Sequence, residues 1–453
     1  MSEGLVSLGL DVGTTTTQLI LSELTVENQA SAFTVPKLAI THRTVLYQSP
    51  VHFTPLLSGK LVNGQALRQL VLEEYRKAGI RREDVDTGAI IITGETSRKE
   101  NAREVLHALS DLAGDFVVAT AGPHLESVLA AKGAGSLEES QRLEGPILHM
   151  DIGGGTTNLA LLEAGKILRT GCLNVGGRLI KLDEQGTVTY ISPVLSGLTE
   201  LTLGQTATRS QLVSLAQMLV EVLEMAAGLR QTSPLWEQLS TREAGALFSP
   251  APPDSRVILS GGVAECVRRE LPAFAYGDLG PILGSCIRES RLQGRYPLGK
   301  HTIRATVIGA GCYAAQLSGS TVYARDVALP MKNIPVATFT RDEQQSPALS
   351  QLIRERASQW DSSPLLYFPG FFGASYSQIT RLATAISQGT TGAVLIALEQ
   401  DMAKAPGQVL TLQNPQRAVL CLDGLTLSHG DYLDIGEPLG PTFPVVIKTL
   451  AMA

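Results

Sequence analysis

The chain has 453 residues, enough for two to four domains, and its 44% hydrophobic and 18% charged residues are a globular rather than a disordered composition. A formal net charge of −6 gives no general reason to expect nucleic acid, whose phosphates call for a basic face, a local basic strip aside. No run approaches the roughly 20 apolar residues that cross a bilayer, and the start MSEGLVSLGLDVG reaches Asp11 before a signal region develops, so a soluble cytoplasmic protein with no membrane partner is expected.

The first apolar segment, LVSLGLDVGTTTTQLILSEL, alternates on either side of a Gly/Thr tip and predicts two strands joined by a tight turn. Gln65–Ala78 and Lys99–Ala113 carry apolar residues at three- and four-residue steps, the helical period. Ala89–Thr93 and Phe116–Thr120 are short apolar runs that predict buried strands, and AGPHLESVLAAKGAG predicts a small-residue helix closing on glycines. The order strand, Asp, Gly-rich turn, Thr, strand then returns in PILHMDIGGGTTNLALLEAGKIL, with Asp151 placed 140 residues after Asp11. That repetition predicts a duplicated fold with one copy in each lobe.

A long helical pattern runs from Ser210 to Leu229, and a Pro-rich loop spans Ser249–Ser255. VILSGG from Val257 and ATVIGAG from Ala305 read as buried strands. Beyond Pro330, LLYFPG, AVLIALEQ, AVLCLDG and PVVIKTL are strand candidates between Pro/Gly turns. The expected class is α/β, with a first lobe over 1–135, a second over 136–330 and a C-terminal α/β region over 331–453 packed on them.

Gly13, directly after a strand, lets the backbone approach a phosphate, and the amides and hydroxyls of Thr14 and Thr15 supply donors. Asp11 beside phosphates is tolerable when a hard cation or its waters intervene, which points to magnesium. The competing reading is a plain hairpin whose glycine serves the turn. In the second copy, Gly153, Gly154 and Gly155 each cost roughly 0.5–1 kcal/mol relative to alanine in a regular element. A phosphate clamp with Thr156 gives that bare backbone a reason, and a flexible turn is the alternative. Gly261 and Gly262 sit at a strand-to-helix junction, where a base or ribose can lie against backbone and the helix N-terminus favours negative charge.

GLDVGTTTT resembles the phosphate-1 motif, DIGGGTTN the phosphate-2 motif and VILSGGVAE the adenosine motif of the actin/Hsp70/hexokinase superfamily, in that order. AGPHLESVLAAKGAG and VIGAGCYAAQLSG sit where its two interlobe connecting helices belong. GRYPLGKH has P-loop spacing but puts His301 in place of the required Ser/Thr, and GAGCYA, a relaxed dinucleotide fingerprint, is better read as part of the second connecting helix.

The chain as a whole resembles the EutA family of ethanolamine ammonia-lyase reactivating factors, through ITGETSRKENAREVL, GCLNVGGRLI and GDYLDIGEPLGPTFPVVIKTL as well as the nucleotide motifs. The resemblance implies a duplicated actin-like/Hsp70-like ATPase fold that uses ATP and magnesium to release damaged cobalamin from inactivated ethanolamine ammonia-lyase, so that intact adenosylcobalamin can bind there. It implies that Asp11 and Asp151 position magnesium through water, that Gly13, Thr14 and Thr15 grip one side of the phosphates and Gly153, Gly154, Gly155 and Thr156 the other, and that Gly261 and Gly262 lie under the adenosine. Asp151 also orients the attacking water on this view, and Glu126 is either a second water-positioning group or a solvated helix glutamate. The family setting is cytoplasmic, with association with a bacterial microcompartment and a homo-oligomer as compatible features.

Other residues read more plainly. Cys172, Cys266, Cys286, Cys312 and Cys421 are scattered and predict reduced core thiols, and the seven histidines show no metal-ligand spacing. Trp236, Trp360 and the cluster Phe368, Phe371 and Phe372 predict packing, the cluster with a docking surface as its alternative. Two rival functions on the same fold are a small-molecule kinase and an actin-like scaffold.

Overall fold

The structure, a computed structural model, describes residues 3–13, 16–29, 38–58, 61–92, 105, 109, 118–120, 123–242, 247–313, 315–360, 362–370, 375–427 and 431–449. Strands β1 (Glu3–Val12) and β2 (Thr16–Asn28) form an antiparallel hairpin, and β3 (Leu38–Gln48) and the short β4 (His52–Phe53) pair with β2. A small separate hairpin joins β5 (Leu56–Ser58) to β6 (Leu61–Val62). On the other side of β1 lie β7 (Thr87–Ile92) and β8 (Val118–Thr120), both parallel, so the sheet order is β3-β2-β1-β7-β8.

The period-two pattern of β1 puts Leu8, Leu10 and Val12 on one face, where they pack with Leu67, Val71 and Tyr75 of helix α1 (Gly64–Ala78). The Asn63 side chain accepts the Ala66 amide at the start of α1, and Gly79 ends it in the left-handed conformation. The predicted helix over Lys99–Ala113 lies largely outside the described residues, although Val105 and Leu109 are helical and buried in this core.

Glu74 of α1 is buried and accepts from the Tyr47 hydroxyl at 2.6 Å and the Lys77 ammonium at 2.7 Å, with the His52 imidazole 3.2 Å away. Burial pushes its carboxyl up, but the Lys77 and Tyr47 donors together outweigh that and hold it below the ordinary glutamate range. The stabilisation is therefore complete above the unfolded-state value and lost as pH falls through the lower folded one. Urea melts of Glu74→Ala should show a lower midpoint than the wild type at neutral pH, with the gap closing below the ordinary glutamate range.

The chain next forms helix α2 (Pro123–Gly133) and the short α3 (Ser136–Arg142). It then repeats the first arrangement. Strands β9 (Ile147–Ile152), β10 (Thr157–Glu163) and β11 (Lys166–Leu173) are antiparallel neighbours. After the two-stranded pair β12 (Ile180–Leu182) and β13 (Val188–Ile191), β14 (Arg256–Ser260) lies parallel to β9 as β7 does to β1. The duplication holds to single residues: Asp11 faces Gln18 and Val12 faces Thr17, while Asp151 faces Asn158 and Ile152 faces Thr157.

Helix α4 (Arg209–Ala226) is capped by a reciprocal Thr208–Gln211 box and buries Leu212, Leu215, Leu219, Val222 and Leu223 in the core of this second lobe. Trp236 packs in the same core, and all five cysteines are free and buried. Helices α5 (Gly262–Arg268) and α6 (Gly280–Arg288) complete the lobe.

Ala305–Tyr313 is helix α7, as its resemblance to a connecting helix implied and not the strand that its apolar run predicted. A nine-residue segment rich in small apolar residues and covered on both sides carries no polar stripe, so hydrophobic periodicity could not tell the two apart. Its glycines serve packing: an added Cβ would lie 2.1 Å from the Leu129 carbonyl at Gly309 and 3.1 Å from the Gly9 amide at Gly311. Helix α2 follows the first lobe in sequence yet also packs on the second sheet, setting Ala131 against Ala160 and Leu162. Helix α7 follows the second lobe and returns to the first, setting Val307, Ile308 and Cys312 against Ile20. The two helices cross in direct backbone contact, with Gly133 so close that a Cβ there would fall 1.9 Å from the Ala305 carbonyl. The result is a duplicated two-lobe arrangement whose lobes exchange their connecting helices.

The remaining strands are β15 (Ala315–Leu317), β16 (Tyr323–Arg325), β17 (Met331–Thr338), β18 (Leu365–Phe368), β19 (Val394–Leu398), β20 (Val419–Leu422), β21 (Asp431–Ile435) and β22 (Pro444–Thr449). They make an eight-stranded mixed sheet ordered β15-β22-β21-β17-β18-β19-β20-β16. The sheet therefore begins at Ala315, ahead of the start expected at residue 331. Helices α8 (Leu349–Ala357), α9 (Tyr376–Gly389) and α10 (Lys404–Gln413) cover one face. Val446 meets Leu5, Leu24 and Val26, which packs the sheet on the first lobe.

Phe368 is buried and stacks on Phe339 with ring centroids 5.1 Å apart, and Trp360 packs against the same core. Phe371 and Phe372 lie outside the described residues. Among the described residues no helix is long and apolar enough to cross a membrane.

Candidate functional site

The two hairpin tips close with the same hydrogen bond. The Gly13 amide donates to the Thr16 carbonyl at 2.9 Å, and the Gly153 amide to the Thr156 carbonyl at 2.9 Å. The first tip is further tied by the Thr54 hydroxyl, which donates to the Gly13 carbonyl at 2.8 Å. Thr14 and Thr15 lie outside the described residues.

Both tips open on one cavity of about 500 Å³ between the lobes. Asp11 and Gly13 line it from the first hairpin, Asp151, Gly153, Gly154, Gly155 and Thr156 from the second, Gly261 and Gly262 from the β14–α5 junction, and Glu126 from α2. All the site residues expected from sequence that fall within the described residues thus meet at one place.

The glycines divide by cause. Gly261 has φ +89°, and a Cβ would lie 2.3 Å from the Ile152 carbonyl, so packing against β9 alone demands it. Gly153, Gly154 and Gly155 have no positive φ, and a Cβ would meet nothing closer than 3.4 Å at the first two and nothing within 4 Å at the third. Nothing inside the chain requires glycine there. The bare backbone borders the cavity instead, as a close approach to a bound group would require.

Asp151 is 8% exposed. Burial pushes its carboxyl up from the ordinary range, opposed by the Ser260 hydroxyl, which donates to Oδ1, and the Thr306 hydroxyl, which donates to Oδ2 at 3.4 Å. Glu126 is 7% exposed and accepts from the Asn158 amide at 2.7 Å, so the solvated alternative fails.

Gln18, Asn158, Arg178, Asp278 and Thr306 also line the cavity and Ser260 bonds to Asp151, although the sequence does not single them out. The first two were accessible from the repeat itself, since they hold equivalent register positions opposite the two aspartates. Each is buried, each donates its amide nitrogen (Gln18 to the Ile303 carbonyl at 3.2 Å, Asn158 to Glu126), and each leaves its amide oxygen without a partner. Arg178 pairs with Asp278 at 3.0 Å beside the cavity. Burial pushes Asp278 up, and its bonds to the Gly280 amide and Arg178 act against that.

Among the described residues no three His, Cys, Asp or Glu side chains group as a metal cage. Two carboxylates plus two orphaned amide oxygens on one cavity fit a hydrated magnesium, which keeps most of its waters and needs acceptors for them.

The family model described as "Ethanolamine utilisation protein EutA" matches residues 3–453. A Salmonella typhimurium protein, "Ethanolamine ammonia-lyase reactivase EutA", is 40% identical over 99% of this chain and 98% of its own length. The Escherichia coli protein of the same name is 38% identical over the same shares. Among solved structures, an Aquifex aeolicus Ppx/GppA phosphatase aligns over 68% of this chain and 99% of its own with a TM-score of 0.39 and 12% identity.

Proposed function

The chain belongs to the EutA family of ethanolamine utilisation proteins, and from that membership we propose that it is an ATP-dependent reactivating factor for ethanolamine ammonia-lyase. The observation that carries the nucleotide part is the convergence of two equivalent Asp–Gly–Thr turns, one from each lobe, on a single cavity. Asp11 and Asp151, with the amide oxygens of Gln18 and Asn158, are the groups that would hold magnesium through its waters. Magnesium bound there neutralises phosphate charge and polarises the phosphoryl group to be transferred.

The amides of Gly154, Gly155 and Thr156 cradle phosphate oxygens from one wall, where Gly153 leaves the backbone bare, and Gly13, Thr14 and Thr15 are assigned to the opposite wall, while Gly261 and Gly262 lie under the adenosine. Asp151 and Glu126 orient the water that attacks and take up its proton. Nucleotide state then biases lobe closure about the crossed helices α2 and α7. Only some closure states hold the lyase in an open form, so that damaged cobalamin leaves and adenosylcobalamin enters. The exchange takes place on the lyase, and this protein need not bind cobalamin itself.

The decisive assay uses lyase blocked with cyanocobalamin. Addition of the protein with ATP and magnesium should restore activity on supply of adenosylcobalamin, with slow ATP hydrolysis. A non-hydrolysable analogue should not sustain repeated turnover. Stoichiometric phosphorylation of a small metabolite would make the protein a kinase and overturn the reading, as would rapid ATP-driven filament assembly in light scattering.

A further inference from the structure

Strand β9 carries, two residues before Asp151, a histidine that the nucleotide chemistry does not use. His149 is completely buried, on the same strand face as Asp151 and away from Leu148, Met150 and Ile152 of the lobe core. Its Nδ1 lies 2.8 Å from the Ser136 hydroxyl and its Nε2 lies 3.1 Å from the Ser260 hydroxyl. Ser260 in turn reaches Oδ1 of Asp151. Ser136 and Ser260 are both fully buried.

The hydrogen count fixes the direction of this chain. An ionised Asp151 only accepts, so Ser260 spends its one hydrogen on it and must accept from Nε2–H. Nδ1 is then left as an acceptor, and Ser136 donates to it. The ring is neutral in this arrangement, in keeping with its burial, which pushes its pKa down to about 3.

The far end of the chain is equally specific. Ser136 opens α3 immediately after the left-handed Gly135, at the end of connecting helix α2, where Gly133 abuts the Ala305 carbonyl of α7. The four side chains therefore run from the cavity wall to the point where the two connecting helices cross. A histidine satisfied merely for core stability needs two partners, but not partners placed on the site carboxylate and on the crossing.

We propose that Ser136, His149 and Ser260 form a buried relay through which the end of helix α2 sets the orientation of the Asp151 carboxylate, with His149 as the positioning residue. The relay rests on the nucleotide reading of the cavity. It couples lobe geometry to the site, since a shift of α2 moves Ser136, turns the imidazole and re-aims Ser260.

The test compares His149→Leu, His149→Gln and Ser260→Ala in the full-length protein. ATP affinity by calorimetry, ATP turnover at saturation and thermal melting are measured together. His149→Leu and Ser260→Ala should lower turnover about ten-fold or more with ATP affinity kept within about three-fold, the split expected when an interaction serves the transition state. His149→Gln, whose amide can donate to Ser260 and accept from Ser136, should restore most of the turnover.

In nitrogen-labelled histidine spectra the wild-type His149 should be the Nε2–H tautomer, and Ser260→Ala should disturb it. Unimpaired turnover in folded His149→Leu or Ser260→Ala, loss of turnover that only mirrors loss of folded protein, or an Nδ1–H ring in the wild type would each overturn the relay while leaving the nucleotide reading standing. Failure of the wild type to bind ATP would remove both.

Discussion

Replacing Asp151 with alanine is expected to lower ATP turnover by roughly 100-fold or more and to abolish lyase reactivation, with the fold retained. The carboxyl group is nearly enclosed and lines the cavity, where water screens its charge little once it is ionised. Truncation deprives the Ser260 and Thr306 hydroxyls of an acceptor but also relieves a buried charge, and these two effects on stability oppose one another.

Asp151→Asn separates charge from shape, because its amide oxygen still accepts from Ser260. Turnover as low as in the alanine variant would assign the effect to charge. Near-normal turnover in either variant would remove Asp151 from the mechanism. The same carboxyl gives a pH signature. Burial makes it hold its proton more tightly than an ordinary aspartate, so it loses its charge earlier as pH falls. Magnesium-nucleotide affinity should therefore decline on acidification from above the usual aspartate range and level off at higher pH.

The second large effect is mechanical. Gly309→Val should destabilise the protein by roughly 3 kcal/mol or more, visible as an early transition in scanning calorimetry. The added Cβ would sit 2.1 Å from the Leu129 carbonyl, and a backbone atom, unlike the end of a long side chain, cannot swing aside. Relief requires the two helices to part, which loosens both lobes at once. Gly155→Ala provides the contrast. Its Cβ would meet nothing within 4 Å and its φ is not positive, so stability should change by less than about 1 kcal/mol. Any loss it causes should appear in nucleotide affinity. A Gly309→Val protein that melts like the wild type would show that the crossing is not tightly packed.

Much of the site was legible because its chemistry is local. Asp11 and Asp151 stand at the ends of alternating strands, each followed by a Gly/Thr turn, and a repeated local pattern needs no knowledge of the fold. What escaped was non-local. Ser260 matters because β14 lies beside β9 with Ser260 opposite Asp151, and Asp278 because Arg178 reaches it across 100 residues. Glu126 resembled a surface glutamate because nothing in a short helix of small residues announces that both of its sides are covered. The strand reading of Ala305–Tyr313 failed for a related reason, since a helix buried on all sides has lost the amphipathic rhythm that identifies helices. In the tail, the apolar runs of β18, β19, β20 and β22 were recognisable as strands, but the short β15 and β16, the central β17 with Lys332, Asn333 and Pro335 inside it, and β21 with its two aspartates were not singled out.

The exchange of helices between the lobes bears on how the chain is made. The face of the first sheet that carries Gly9 and Ile20 is covered by residues near 307–312, which leave the ribosome only after nearly all of the second lobe has been synthesised. The amino-terminal half must wait, uncovered on that face, for a segment far downstream. A fragment ending near residue 135 lacks that cover, so cutting the gene between its two repeats yields no self-sufficient half.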